Sequence, residues 1–148
     1  MQKAIVLKEL ENAKKVHIEQ MEKIELLLEG YFITEPTELA KTDCEFGRLF
    51  YGNKEDFLPL IGAQFFQKID LLHEKWHDEY AHVYEIFYKV RKQGLFSKLR
   101  GTHKIKQIEY EKAKMYFTRL DKTTTQLLRM LDISIRRVSS LSDAKFKN

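Results

Sequence analysis

Apolar residues recur in steps of three and four along most of this chain, a spacing that places them on one face of an α-helix. The first such stretch, residues 3–29, predicts one amphipathic helix that ends before Gly30, a residue that favours helix C-termini. His17 falls in the middle of its apolar face. That face follows Leu7, Leu10, Lys14, His17, Met21, Ile24 and Leu28.

A second helix is predicted over residues 36–51, because Pro36 suits the first position of a helix. Cys44 would then point inward, and Gly47 would let a neighbouring helix approach closely. The inner face would hold Ala40, Cys44, Gly47 and Tyr51.

A third helix is predicted over residues 56–90, with Asp56 as its cap. Gly62 inside this stretch indicates a kink or a contact between helices. His73 and His77 lie on the flank of the apolar face, and His82 is expected to be exposed. The face follows Phe57, Ile61, Phe65, Ile69, Leu72, Trp76, Tyr80, Val83 and Phe87.

After a break at residues 93–97, Thr102 is expected to cap a final helix over residues 103–138, and the polar tail 139–148 is expected to fray. A helix of that length extends about 50 Å, more than the shorter helices can cover, so part of its apolar face is predicted to meet a second subunit. The sequence therefore predicts an all-α fold. It would be a helical bundle of four to five helices in one domain over residues 1–148, assembled as a homodimer.

Composition and charge narrow the functional classes. The chain has 148 residues, 43% of them hydrophobic, and no apolar run approaches the length of a membrane span. The N-terminus lacks the apolar core of a secretory signal, and a single cysteine cannot form an internal disulfide, so we expect a cytoplasmic protein.

The charges are unevenly distributed: residues 1–88 hold 10 basic and 17 acidic residues, whereas residues 89–148 hold 16 basic and 5 acidic residues. This asymmetry is expected to pair the basic helix with acidic ones. Nucleic acid is not the expected partner, because the basic residues are not interleaved with aromatic ones.

The segment His73-Glu74-Lys75-Trp76-His77 carries the chemistry, because two histidines four residues apart project from the same face of a helix. Imidazole and thiolate are normal zinc ligands, and a zinc ion would offset the cost of burying them. The sequence therefore predicts one zinc site formed by His17, Cys44, His73 and His77. Asp43 or Glu45 could tune the site by accepting a histidine N–H, although an ordinary solvated charge is the simpler interpretation of Glu45.

These residues resemble the chemoreceptor zinc-binding (CZB) family. That family has a histidine on an early helix, a cysteine followed after two residues by Gly-Lys-Trp and aromatic residues, and a later HxxxH. The matching positions here are His17, the run from Cys44 to Tyr51, and His73 with His77. Leu49 stands where the family has tryptophan, and Arg48 replaces the lysine. The resemblance covers nearly the whole chain.

The resemblance implies an all-helical homodimer that binds zinc tightly and reports zinc or oxidants such as hypochlorous acid. It also implies a chemoreceptor or a diguanylate cyclase as the output partner, because family members are attached to such proteins. A site with four protein ligands is closed, which argues against hydrolysis, so we expect no enzymatic activity. A zinc-bound thiolate is the form that oxidants attack, so oxidation of Cys44 would weaken the site.

Two other functions remain open from the sequence. His73-Glu74-x-x-His77 matches the HExxH pattern of zinc peptidases, with Glu74 as general base, but Tyr80 and Val83 replace the residues of the extended metzincin motif. The other alternative is a metal-free helical scaffold whose basic final helix binds an acidic partner.

Overall fold

The computed structural model describes residues 1–89 and 106–146, and within these ranges it contains five α-helices and no strand. The predicted all-α class is therefore confirmed for the described chain. None of the described helices has the length and hydropathy needed to cross a membrane. The helices are α1 (Lys3–Leu28), α2 (Glu45–Gly52), α3 (Lys54–Ile61), α4 (Ala63–Tyr84) and α5 (Gln107–Ser140), with a π-helical turn at Glu85–Lys89 and a 3₁₀ turn at Asp143–Lys145.

Helix α1 confirms the first predicted helix almost to the residue. Gly30 has φ 97°, and the N–H groups of Gly30 and Tyr31 donate to the carbonyls of Leu27 and Leu26. This is the Schellman motif, in which a residue with left-handed backbone angles lets its own N–H group and the next one donate to the last carbonyl groups of the helix.

The long helices α1, α4 and α5 pack together, and the short helices α2 and α3 close one end of this bundle. The buried side chains form two clusters. The first contains Val6, Leu10, Ala13, Cys44, Phe50, Phe57, Ile69 and Leu131 among others, and the second contains Met21, Ile24, Trp76, Tyr80, Val83 and Leu120 among others. His17 follows Ala13 of the first cluster and precedes Met21 of the second, so the buried histidines lie at the junction between them.

The second helix differs from its prediction. Residues 36–44 form turns rather than helix, and α2 begins only at Glu45. The reason lies in Cys44, whose extended backbone (φ −68°, ψ 155°) and side chain cap the helix. Pro36 is therefore not the first residue of a helix. Cys44 is buried, as predicted, but it lies at the start of a helix rather than within one.

Residues 31–44, here called the strap, run along α4 and the π-helical turn, and their backbone groups form hydrogen bonds with side chains of both. The hydroxyl of Tyr88 donates to the Ile33 carbonyl at 2.9 Å, and the Thr37 N–H donates to the hydroxyl of Tyr80 at 3.0 Å. Further contacts near Cys44 are described with the metal centre below. This series of hydrogen bonds positions Cys44 over α4, although residues 36–44 are not helical.

The third predicted helix is interrupted at Gly62, as the sequence indicated. Gly62 adopts φ 90°, which separates α3 from α4 and favours glycine at this position. Helix α3 starts at Lys54, so the predicted cap at Asp56 is wrong. Near its other end, α4 passes into the π-helical turn.

Helix α5 spans about 50 Å and its described part extends two residues beyond the predicted end. The tail that we expected to fray is helical to Ser140. Beyond it, Phe146 packs on the first cluster, and Lys3 Nζ donates to the Leu141 carbonyl at 2.6 Å. The predicted break at residues 93–97, the predicted cap at Thr102 and the start of the last helix at His103 lie outside the described residues. The second subunit stays a prediction.

Helix α5 packs against α1 and α4, and the pairing of its basic residues with acidic ones of other helices, in the same subunit or in a second one, stays a prediction. The ion pair between α5 and another element joins Lys14 of α1 to Asp132 of α5 at 2.6 Å, with the charges the other way round. Two basic residues of α5, Lys112 and Lys114, pair within their own helix.

Candidate metal centre

Cys44 is the N-cap of α2, and its environment is set by backbone groups. Its Sγ accepts the Gly47 N–H at 3.1 Å, and its thiol donates to the Lys41 carbonyl at 3.4 Å. Burial raises the pKa of the Cys44 thiol, and the N–H groups of Gly47 and Phe46 only partly oppose that shift. Without a metal, Cys44 is therefore a thiol at neutral pH.

Gly47 makes this cap possible. A Cβ at this position would lie 1.6 Å from the Lys41 carbonyl oxygen. The close approach predicted for Gly47 is real, but its neighbour is the backbone of the strap rather than another helix.

His73 and His77 lie one turn apart on α4 and meet Cys44 in the interior. The two Nε2 atoms are 3.1 Å apart, and His73 Nε2 lies 3.3 Å from Cys44 Sγ. All three residues are buried, and their donor atoms lie within 4.8 Å of one another. The structure thus brings together three of the four predicted ligands.

The hydrogen bonds of the two rings fix their tautomers. His77 Nδ1 lies 3.0 Å from the Leu39 carbonyl, which can only accept, so we assign the proton to Nδ1. His73 Nδ1 lies 3.1 Å from the Tyr51 hydroxyl, whose proton is donated to Asp70 Oδ1 at 2.9 Å. His73 must therefore donate from Nδ1 as well, and both Nε2 atoms carry lone pairs.

Two lone pairs that face each other at 3.1 Å repel unless a cation or a proton lies between them. A proton is disfavoured, because burial, together with repulsion from His17 and His77, lowers the pKa of His73 to about 2. Burial likewise lowers the pKa of His77. A metal ion placed between them, and held also by the sulfur of Cys44, would satisfy both nitrogens.

The spacing of these donor atoms suits zinc. Bonds of about 2.0–2.1 Å to nitrogen and 2.3 Å to sulfur at tetrahedral angles separate the ligand atoms by roughly 3.3–3.6 Å. The observed separations of 3.1 Å and 3.3 Å are slightly shorter. A small outward movement of the side chains would admit the ion.

His17 lies beside this cluster without joining it. Its ring centroid is 5.2 Å from that of His73 and 5.5 Å from that of Trp76, and its side chain is 2% exposed. Its Nδ1 donates to the Ala13 carbonyl at 2.7 Å, which leaves the lone pair on Nε2, as in the other two histidines. Burial lowers the pKa of His17 to about 4, so its ring is neutral at pH 7.

The residues that hold His73 were not predicted as site residues. Tyr51 was placed on the inner face with Cys44 and in the motif that follows it, but not in the site. Asp70 was not considered, although a position three residues before His73 shares its helix face. Neither acidic neighbour of Cys44 accepts from a histidine: Asp43 pairs with the Thr42 hydroxyl at 3.4 Å, and Glu45 accepts from Asn12 at 2.8 Å. Glu45 is exposed, in line with its simpler interpretation as a solvated charge.

Two other residues singled out in the sequence, His82 and Glu74, have exposed side chains. His82 is exposed, as predicted, and stacks on Tyr116 with the ring centroids 4.4 Å apart. The Glu74 side chain is 53% exposed, and its carboxylate pairs with the Lys41 ammonium group at 3.5 Å. Leu49, where the family pattern has tryptophan, is partly buried against the first cluster.

Comparisons of the chain with protein-family models, with curated proteins and with solved structures found no match.

Proposed function

We propose that this protein is a zinc-binding regulatory unit whose site is formed by Cys44, His73 and His77, with His17 as the fourth ligand. The observation that carries the proposal is the convergence of two lone-pair nitrogens and one sulfur, with the opposite nitrogen of each ring held by an acceptor. Metal-binding histidines have this arrangement, because the outer hydrogen bond selects the nitrogen that faces the ion.

The donor set selects zinc among the common metals. Calcium and magnesium prefer oxygen ligands, whereas a thiolate with imidazoles suits zinc. The His17 ring already contacts His73 and carries a lone pair on Nε2, so a shift of its side chain toward the cluster would supply a third imidazole to the ion. Four protein ligands would then close the site, and closed zinc sites are structural or regulatory rather than hydrolytic.

We propose further that Cys44 makes the site responsive to oxidants. Bound zinc would hold this residue as a thiolate, which is the form that oxidants attack. Cys44 joins the strap to α2, so loss of its bond to the metal would loosen the attachment of both to α4 at the site. The resemblance to the CZB family supports this role, and by the same resemblance the protein would act as a homodimer on a chemoreceptor or a diguanylate cyclase.

The peptidase alternative has less support. A general base must reach the metal-bound water, but the Glu74 carboxylate is exposed and paired with Lys41. The described residues also contain no strand to serve as the substrate-binding edge. A metal-free scaffold would leave the facing nitrogens of His73 and His77 unexplained.

The test is the zinc content of the purified protein, with one zinc expected per chain. His77→Ala and Cys44→Ala should each lower the occupancy or the affinity, because each removes a donor atom. His82→Ala is the matched control, since it removes an exposed histidine from the same helix. Zinc-free wild-type protein that takes up no added zinc would overturn the proposal.

A further inference from the structure

A chain of hydrogen bonds extends from His73 away from the donor atoms. His73 Nδ1 donates to Tyr51, Tyr51 donates to Asp70 Oδ1 at 2.9 Å, and Lys41 Nζ donates to the same oxygen at 2.8 Å. We infer that Tyr51 and Asp70 are positioning residues that set the orientation of His73 and the strength with which it binds the metal. This inference rests on the proposed zinc site.

The order of donors and acceptors in this chain allows one arrangement. An ionised carboxylate only accepts, so Asp70 takes the hydroxyl proton of Tyr51. The Tyr51 oxygen is then left to accept the Nδ1 proton of His73. Rotation of the imidazole would break this bond, so the chain holds Nε2 toward Cys44 and His77.

His73 differs from its two neighbours in the kind of acceptor behind it. His17 and His77 donate to the neutral carbonyls of Ala13 and Leu39, whereas His73 is connected through Tyr51 to a carboxylate. A negative charge behind an imidazole increases the electron density on the opposite nitrogen and strengthens its bond to a metal. Tyr51 transmits this effect, since its oxygen becomes a better acceptor when its proton is given to Asp70.

Lys41 connects the same chain to Cys44. Its ammonium group holds Asp70, and its carbonyl lies 3.4 Å from Cys44 Sγ. The strap therefore contacts both sides of the site, through the Lys41 ammonium group behind His73 and through the Lys41 carbonyl at Cys44.

The experiment compares zinc affinity in wild type, Tyr51→Phe, Asp70→Asn and the double variant, by competition with a chromophoric chelator. Tyr51→Phe keeps the ring and removes only the hydroxyl. It should weaken zinc binding by about 10–100-fold, the usual effect of losing an outer-shell partner. Because Asp70 acts through Tyr51, the double variant should bind zinc no more weakly than Tyr51→Phe alone. Tyr88→Phe is the matched control, since it removes a hydroxyl hydrogen bond to the strap away from the metal.

A second readout separates positioning from general stability. In zinc-loaded protein with ¹⁵N-labelled histidine, the Nδ1 proton of His73 should exchange with solvent faster in Tyr51→Phe than in wild type. The Nδ1 proton of His77, held by Leu39, should be unchanged and serves as the internal reference.

The outcomes distinguish the two proposals. If wild type binds zinc tightly and both single variants bind it as tightly as Tyr88→Phe, the positioning inference is wrong while the zinc site stands. If the loss of zinc-binding free energy in the double variant equals the sum of the losses in the two single variants, Asp70 does not act through Tyr51 and the inference is overturned. If wild type binds no zinc, the proposed function fails and this inference fails with it.

Discussion

Gly47→Ala is the substitution for which the structure makes the sharpest prediction. The added Cβ would lie 1.6 Å from the Lys41 carbonyl oxygen, and Cβ contacts under 3.0 Å are essentially absent from proteins. Either the strap or the start of α2 must therefore move by about 1.4 Å. That movement separates the Gly47 N–H from Cys44 Sγ and displaces the sulfur from His73.

The energetic cost follows from these two effects. Overpacking against a fixed neighbour costs about 1–3 kcal/mol, and loss of a helix cap costs about 1 kcal/mol. The free energy of unfolding should therefore fall by about 2–4 kcal/mol. For a chain of this size, the melting temperature should fall by roughly 5–15 °C. Zinc affinity should fall as well, because Cys44 is no longer aligned with the histidines.

Gly52→Ala is the matched control, because it makes the same change in the same helix. A Cβ at Gly52 meets nothing within 4 Å, so alanine should leave stability unchanged or raise it by up to about 1 kcal/mol. Urea unfolding of the metal-free proteins and chelator competition of the zinc-loaded ones would measure both effects. Equal stability and zinc affinity in Gly47→Ala and Gly52→Ala would refute the account of the cap.

Three other predictions concern the thiolate, the histidines and assembly. Stoichiometric hypochlorous acid should oxidise Cys44 and release zinc from wild type, and Cys44→Ser should show no oxidant-linked release; wild type that keeps its zinc with Cys44 fully oxidised would contradict the role of the thiolate. The metal-free protein should lose stability as pH falls below about 6.5, because His17 and His73 have pKa values lowered to about 4 and about 2 and are neutral when folded. Between pH 6.5 and 5 the loss should be on the order of 3 kcal/mol for this pair, measured by urea unfolding, and a flat profile would contradict their burial as neutral rings. Sedimentation at micromolar concentration should show a dimer, since α5 extends far along the bundle, and a monomer would contradict that expectation.

The sequence predicted the long helices well, because their apolar faces repeat over many turns. Helix α1 and its stop at Gly30 were predicted almost to the residue. His73 and His77 were placed correctly together, since their spacing within one helix fixes their relation. The prediction of Gly62 as an interruption also held.

The strap could not be predicted from local pattern. The apolar residues of 36–44 have a helical spacing, but the backbone groups of this segment form hydrogen bonds with side chains of α4. Contacts between residues so far apart in the sequence produce no periodic pattern from which they could be predicted. The relation of Tyr51 and Asp70 to His73 was missed for a similar reason, since Tyr51 lies on α2, 22 residues from His73. The fourth predicted ligand, His17, does lie next to His73, but in the structure it is not part of the group of side chains close enough to share one ion.

The most direct test of the central claim is X-ray absorption at the zinc edge of the loaded protein. We expect one sulfur at about 2.3 Å and three imidazole nitrogens at about 2.0–2.1 Å around each zinc. His17→Ala should reduce the number of imidazoles to two and keep the sulfur. A shell of oxygen and nitrogen without sulfur, or a wild-type shell that His17→Ala does not alter, would contradict the proposed set of four ligands.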